Sequence, residues 1–209
     1  NKNLLKHFLF QPSRIEKSAP SIIINASFNV YHMELDRYRP GFIIYADYDA
    51  LMTSDGTTTH LIARFYRITG FVQISEKFVV AADTDNHCLR LIDRSTNKTS
   101  VFSGLCESRG DEGGLPGQFN YPYFVVIDKR DKNQLFITDF FNNAVRIVNV
   151  TSRFADMFVQ SDSLEFIRGI TQEEKSGDLY VTANNAVYRI TYTQRTVTRI
   201  SGSGSPGNR

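Results

Sequence analysis

The chain has no tryptophan, only two cysteines and only four histidines among its 209 residues. No apolar segment approaches the ~18–20 residues that a membrane-spanning helix needs, so no such span is expected. There is also no run of basic residues: net charge is +2, and the arginines are spread along the whole length. A dedicated nucleic-acid domain usually carries a stronger and more clustered excess of Lys and Arg, so nucleic acid is not the expected partner. The phosphate-binding glycine loop, the G-x-S-x-G elbow, the H-E-x-x-H zinc motif and the dinucleotide fingerprint are all missing. Two cysteines alone leave a structural zinc site two ligands short. Composition typical of disorder is confined to the Gly/Ser/Pro-rich end, Ser201 to Arg209.

What the sequence does have is strand-forming residues. Hydrophobic residues make up 41% of the chain, and the 12% that are aromatic are all Phe and Tyr. With Val, Ile and Thr they dominate the apolar runs, which favours an all-β fold. The runs also repeat. Phe78-Val79-Val80-Ala81-Ala82-Asp83 is followed by the turn Thr84-Asp85-Asn86-His87-Cys88 and then Leu89-Arg90-Leu91-Ile92. Leu135 to Asp139, Phe140-Phe141-Asn142-Asn143-Ala144 and Val145-Arg146-Ile147-Val148 repeat that order. A third copy runs from Leu179 to Ala183, through Asn184 to Val187, to Tyr188-Arg189-Ile190. It lacks the Asp, and its turn is one residue shorter. A weaker fourth copy is marked by Asp36 and Asp47, spaced like Asp128 and Asp139.

The period of ~40–50 residues fits a β-propeller of four-stranded antiparallel blades. The predicted blades cover 28–65, 66–118, 119–164 and 165–209, with the end strands of a partial blade in 1–27. The expected strands a to d are 30–36, 42–47, 50–53 and 59–65, then 68–74, 78–83, 88–93 and 100–105. They continue with 123–128, 134–139, 144–150 and 154–160, then 166–172, 178–183, 186–192 and 196–201. The b strands are apolar at nearly every position, as expected for strands buried on both faces. The last residues correspond to the connector that follows Ser103-Gly104, where a new blade should begin. About four blades plus part of another are therefore expected, and a closed ring requires further strands from additional chain or from a partner.

The pattern Asp-x-x-Asn-x-x-[Leu/Val]-Arg-[Leu/Ile] resembles the core of the NHL repeat, here Asp83, Asn86, Arg90 and Asp139, Asn142, Arg146. Phe119-Asn120-Tyr121-Pro122 is similar to that family's lead-in to strand a. The resemblance covers about 70–209 and implies a propeller, usually of six blades. The family includes RNA-binding regulators, extracellular adhesion and receptor modules, bacterial sensor domains and a zinc-dependent lyase, and fold alone does not choose among them. Polar residues that recur in every blade, with Arg189 counted among them, are expected to hold the architecture rather than form one unique site. The Asp would bond turn amides, and the Arg would pair with a carboxylate.

Cys88 and Cys106 are equidistant from Asn97, near the centre of a polar turn, so antiparallel pairing would set them opposite each other within disulfide range. The alternative is two free buried thiols. A disulfide argues for an extracellular or cell-surface setting. Sequons at Asn25, Asn97 and Asn149 fit that setting, with Asn97 at a hairpin tip.

The remaining constellations are sparse. His7, His32, His60 and His87 occupy no equivalent repeat positions, whereas the family's lyase uses three histidines from separate blades. No metal or other cofactor is expected. Asp83-Thr84-Asp85-Asn86 has calcium-friendly oxygens without EF-hand spacing. Arg109-Gly110-Asp111 is an integrin-type tripeptide in the long connector Glu107 to Gln118, which is a candidate binding loop, as is the turn Ser54 to Thr59. The leading expectation is a non-catalytic extracellular module that binds a protein or glycan, alone or within a larger assembly or matrix. An intracellular RNA-binding domain would instead need reduced thiols and an Arg- and aromatic-bearing face. A zinc-dependent lyase would need His-held metal in the channel.

Overall fold

A computed structural model describes residues 30–205. The expected partial blade in 1–27, with His7 and Asn25, lies outside the described residues. The described residues form sixteen strands in four antiparallel sheets, each four strands in sequence order. The first sheet holds β1 (Val30–Leu35), β2 (Ile43–Asp47), β3 (Ala50–Ser54) and β4 (Thr59–Arg64). The second holds β5 (Ile68–Gln73), β6 (Phe78–Asp83), β7 (Cys88–Asp93) and β8 (Lys98–Ser103). The third holds β9 (Pro122–Ile127), β10 (Gln134–Asp139), β11 (Ala144–Asn149) and β12 (Ala155–Gln160). The fourth holds β13 (Ile170–Gln172), β14 (Leu179–Ala183), β15 (Ala186–Ile190) and β16 (Val197–Gly202).

These sheets are the blades of a β-propeller. Their first strands pack in succession, β1 on β5, β5 on β9 and β9 on β13. The approach is close at Gly70 of β5, where a Cβ would sit 2.7 Å from the Tyr123 carbonyl oxygen and 2.8 Å from the Phe124 Cα. Any side chain there would force the two inner strands apart.

The core lies between blades because side chains alternate across each strand. In β6, Val79 and Ala81 join Ile44, Leu51 and Phe71 against the first blade. Val80 and Ala82 point the other way, into a layer with Val125, Leu135 and Ile137 of the third. In β10, Leu135 and Ile137 face back while Phe136 packs forward on Leu179, Val181 and Ile190. A strand sandwiched this way is apolar through its middle on both faces, with its polar residues at its ends, which is why the b strands lack polar alternation.

The recurrent polar residues supply the remaining joints. Asp83 accepts hydrogen bonds from the Asn86 amide (3.0 Å) and Arg90 Nε (2.8 Å). Asp139 accepts from the Asn142 amide at 2.8 Å, Arg146 Nη1 at 3.2 Å and the Asn120 backbone N–H at 2.7 Å. Arg146 is fully buried and also donates to the carbonyls of Gln118, Glu112 and Asp156. Arg189 departs from the sequence reading. It pairs across the sheet with Tyr180, whereas Arg146 pairs with Ile137 and Arg90 with Ala81. The shorter b–c turn puts Tyr188, not Arg189, on the inward face, so Arg189 turns outward to pair with Asp178 at 2.5 Å.

The first Asp of each spaced pair works between blades. Asp36 holds Arg94 of the second blade. Asp128 accepts from Gln172 (2.9 Å) and the Tyr192 hydroxyl (2.8 Å) of the fourth. Gln73 and Gln172 end the a strands of blades two and four. Each accepts from a backbone N–H in the preceding blade, at Arg37 and Lys129 respectively.

Candidate binding face

Up-and-down strand order puts every b–c turn and every d–a connector on one end of the propeller. Backbone bonds join the two sets. Ile68 donates to Tyr48, Thr84 to Arg67, Glu107 to Asn86, Phe140 to Tyr121 and Asn184 to Glu165. This face is a network anchored in the strands, not a fringe of loose loops.

Across it runs a chain of aromatic rings. His87 lies edge-on to Tyr121, with centroids 4.6 Å apart, and Tyr121 to Phe141 at 5.0 Å. Phe141 meets Phe140 at 4.7 Å, and Phe140 meets Tyr123 at 5.6 Å and Phe166 at 5.5 Å. Phe141 is 49% exposed and Phe166 46%, and Tyr66 and Tyr48 stand further along the same face at 69% and 47%. Exposed rings gathered at one end of a fold mark an interaction surface more often than rings scattered singly. Arginines sit among them: Arg67 Cζ is 5.9 Å from the Tyr121 ring centroid, and Arg168 Cζ is 5.5 Å from Phe140 and 5.9 Å from Tyr123.

Backbone geometry shows how firmly these rings are placed. Tyr121 and Phe166 precede the a strands of successive blades with φ of 60° and 55°. Bulky residues rarely adopt that left-handed region, and it costs of order 1 kcal/mol or more each. His87, also left-handed, accepts the Tyr121 N–H at Nδ1 (3.2 Å), which leaves its proton on Nε2. Burial lowers the His87 pKa, Arg109 acts in the same direction and Asp85 opposes them. Asp85 is itself paired with Arg67 at 2.9 Å.

Beside Phe140, Phe141 and Phe166 the face opens into a recess of about 700 Å³ between the third and fourth blades. Arg168, Asn184, Asn185 and Ser201 supply its polar lining. The space exists because the neighbouring residues are small, namely Ala183, Ala186 and Gly202. Gly202 (φ +86°) lies so close to the Asn185–Ala186 backbone that a Cβ would come within 2.5 Å of it.

The residues singled out from sequence fall in several places. Cys88 and Cys106 form a disulfide with a Cα–Cα distance of 5.0 Å. They do not meet as a facing pair, however. The hairpin is centred between residues 95 and 96, a bulge between Leu89 and Arg90 shifts the register, and Ser103 already faces Leu89. Cys106 reaches Cys88 only because the chain turns back after Gly104 (φ +95°). Arg109 and Asp111 are exposed, but Gly110 is no flexible spacer. Its N–H donates to Phe119, its carbonyl accepts from Asn142, and a Cβ would meet the Gln118 side chain at 2.1 Å.

Asn97 is exposed at its hairpin tip, on the end opposite the aromatic face. Asn149 is half-buried, its side-chain oxygen accepting from the N–H groups of Thr151 and Ser152. The turn Ser54 to Thr59 lies on the same end as Asn97. His32, His60 and His87 stay apart. His32 packs at a tilt against Phe71 and Phe124 at the inner strands, and burial brings its pKa down to about 4. Among the described residues no three His, Cys, Asp or Glu side chains gather as a metal site. Among them, too, no helix is long and apolar enough to cross a membrane. The aromatic chain itself was not anticipated. Its signal was present in the repeat, where Phe140-Phe141 replaces Thr84-Asp85 at the head of the b–c turn.

Fold and face together define an all-β propeller with an aromatic- and arginine-bearing end. No protein-family profile matches the chain, and no curated protein is similar to it in sequence. Solved structures are similar in fold. One is a chain of the nidogen–laminin complex, at 15% identity and TM-score 0.65 over 85% of this chain and 65% of that one. Another is an auxiliary nutrient-binding protein from Bacteroides thetaiotaomicron, at 13% identity and TM-score 0.56 over 71% of this chain and 44% of that one. A third is virginiamycin B lyase from Staphylococcus aureus with quinupristin, at 15% identity and TM-score 0.61 over 86% of this chain and 57% of that one. The chain thus spans about half to two thirds of these structures, which include binding proteins and an enzyme.

Proposed function

We infer that this propeller is a non-catalytic, extracellular protein-interaction module of NHL type that binds its partner on the aromatic end. The observation that carries this reading is the connected row of rings from His87 to Phe166, held by strained backbone and left half-exposed. Tyr, Phe and Arg are the residues that anchor protein interfaces. The disulfide supports an oxidising compartment, and the similarity to a chain of the nidogen–laminin complex supports a protein partner. Asn97 is then the glycan acceptor, on the end away from the partner, and Asn149 is held back by its own turn.

The test is binding of the disulfide-intact propeller to a panel of purified extracellular proteins, compared with two variants. Tyr121→Ser/Phe141→Ser alters the aromatic end, and Thr58→Lys/Thr196→Lys alters the opposite end. Loss of binding in the first alone supports the reading, and loss in the second alone overturns it. The same face also has what RNA would stack on, so an oligonucleotide is included. Tighter binding to it, with free thiols in protein isolated from its native source, would favour the intracellular alternative.

A further inference from the structure

We propose that the recess between the third and fourth blades is an anchor pocket for a carboxylate-bearing aromatic or aliphatic side-chain pair on a peptide segment of the partner. This deepens the reading of the aromatic end as a protein-binding face and rests on it. Three features converge on that chemistry. The wall formed by Phe140, Phe141 and Phe166 is apolar, and two of its three rings are about half exposed. Such a wall gains most by covering an apolar group.

Arg168 stands against that wall with its guanidinium over the Phe140 and Tyr123 rings. Among the described residues, no carboxylate lies within ion-pair distance of it. Other arginines are committed: Arg67, Arg90, Arg94, Arg146 and Arg189 each hold an Asp. Arg168 is thus a cation resting beside an apolar wall and left to a ligand, and its planar fork suits a carboxylate.

The opposite side is polar. Asn184 and Asn185, with φ of 42° and 54°, form a tight two-residue turn that lines the recess. The polar groups of such a turn can pair with the N–H and C=O groups of an incoming backbone. The whole arrangement accepts an extended peptide that places an apolar side chain on the rings and an acidic group on Arg168.

The pocket can be tested with small probes on the intact, isotope-labelled propeller by NMR titration. The probes are 3-phenylpropionate, its cationic counterpart 3-phenylpropylamine, and propionate. The expected result is that 3-phenylpropionate binds at least tenfold more tightly than the amine or propionate, with shifts centred on Phe141, Phe166 and the Arg168 side chain. Arg168→Met should abolish the preference for the acid over the amine, and Phe166→Ala should weaken both aromatic probes. Equal binding of acid and amine, an unchanged preference in Arg168→Met, or shifts elsewhere would overturn the proposal. So would displacement of 3-phenylpropionate by a neutral oligosaccharide or an oligouridylate binding more tightly at the same residues. If extracellular partners bind the aromatic end while the acid probe fails, only the pocket chemistry falls.

Discussion

Replacing Arg146 with Met should destabilise the propeller far more than the same change at Arg189, although both belong to Arg–Asp pairs. Arg146 and Asp139 are each fully buried. The guanidinium donates to Asp139 at 3.2 Å and to the carbonyls of Gln118 (2.9 Å), Glu112 (3.1 Å) and Asp156 (3.2 Å). Met fills part of the volume but leaves a buried carboxylate without its counter-charge, a loss of about 3–5 kcal/mol. Arg189 is 47% exposed against Asp178, and a solvent-screened pair of that kind contributes about 0.2–1 kcal/mol. Urea unfolding of the two variants would give the comparison. There is also a local readout. Arg146 fastens the connector that carries Arg109, so Arg146→Met should speed tryptic cleavage after Arg109 under native conditions. Equal destabilisation by the two substitutions, with the connector still resistant, would refute the view that the recurrent Arg is architectural.

Other consequences can be measured on the same protein. Reducing the Cys88–Cys106 bond, which spans 18 residues, should lower stability by about 3 kcal/mol in the chain-entropy account, read as a shift of the urea midpoint with and without reductant. His32 should make stability pH-dependent. Burial lowers its folded pKa from 6.5 to about 4, so between those values the unfolded chain binds more protons, and stability falls as pH drops through that window. The drop from pH 7 to 4.5 should be about 2–3 kcal/mol larger in the parent protein than in His32→Gln. A slope equal in both would exclude His32 as its source. Gly70→Ala should cost roughly 1–3 kcal/mol, since both clashing atoms are backbone, and thermal unfolding would show it.

Much of this architecture is visible in the order of residues. The b strands show themselves because burial on both faces removes polar alternation, and the Asp–Asn–Arg pattern marks the b–c turns of the second and third blades because there the Asn and Arg both bond to the Asp. Two features are hidden. Arg189 looks equivalent to Arg146 along the chain, yet its b–c turn holds two residues where the third blade's holds four, so Tyr188 takes the place of Arg146 and Arg189, one position on, falls on the other face. The disulfide pairing was readable, but its route was not, because a bulge and Gly104 place Cys106. The binding face is the least legible part. Its rings come from successive blades, His87 from the second, Tyr121 and Phe141 from the third and Phe166 at the entry to the fourth, and only the packing of neighbouring blades brings them together. Phe140-Phe141 in a turn that elsewhere holds Thr-Asp was the one local sign.

The account's central claim is that a partner engages the end carrying the b–c turns and the d–a connectors. Hydrogen–deuterium exchange of the propeller with and without a bound extracellular protein tests it most directly. Protection is predicted in 84–87, 105–121, 140–143, 161–168 and 184–187. Protection confined to the opposite end, in 36–42, 74–77, 94–97 and 150–154, would contradict it.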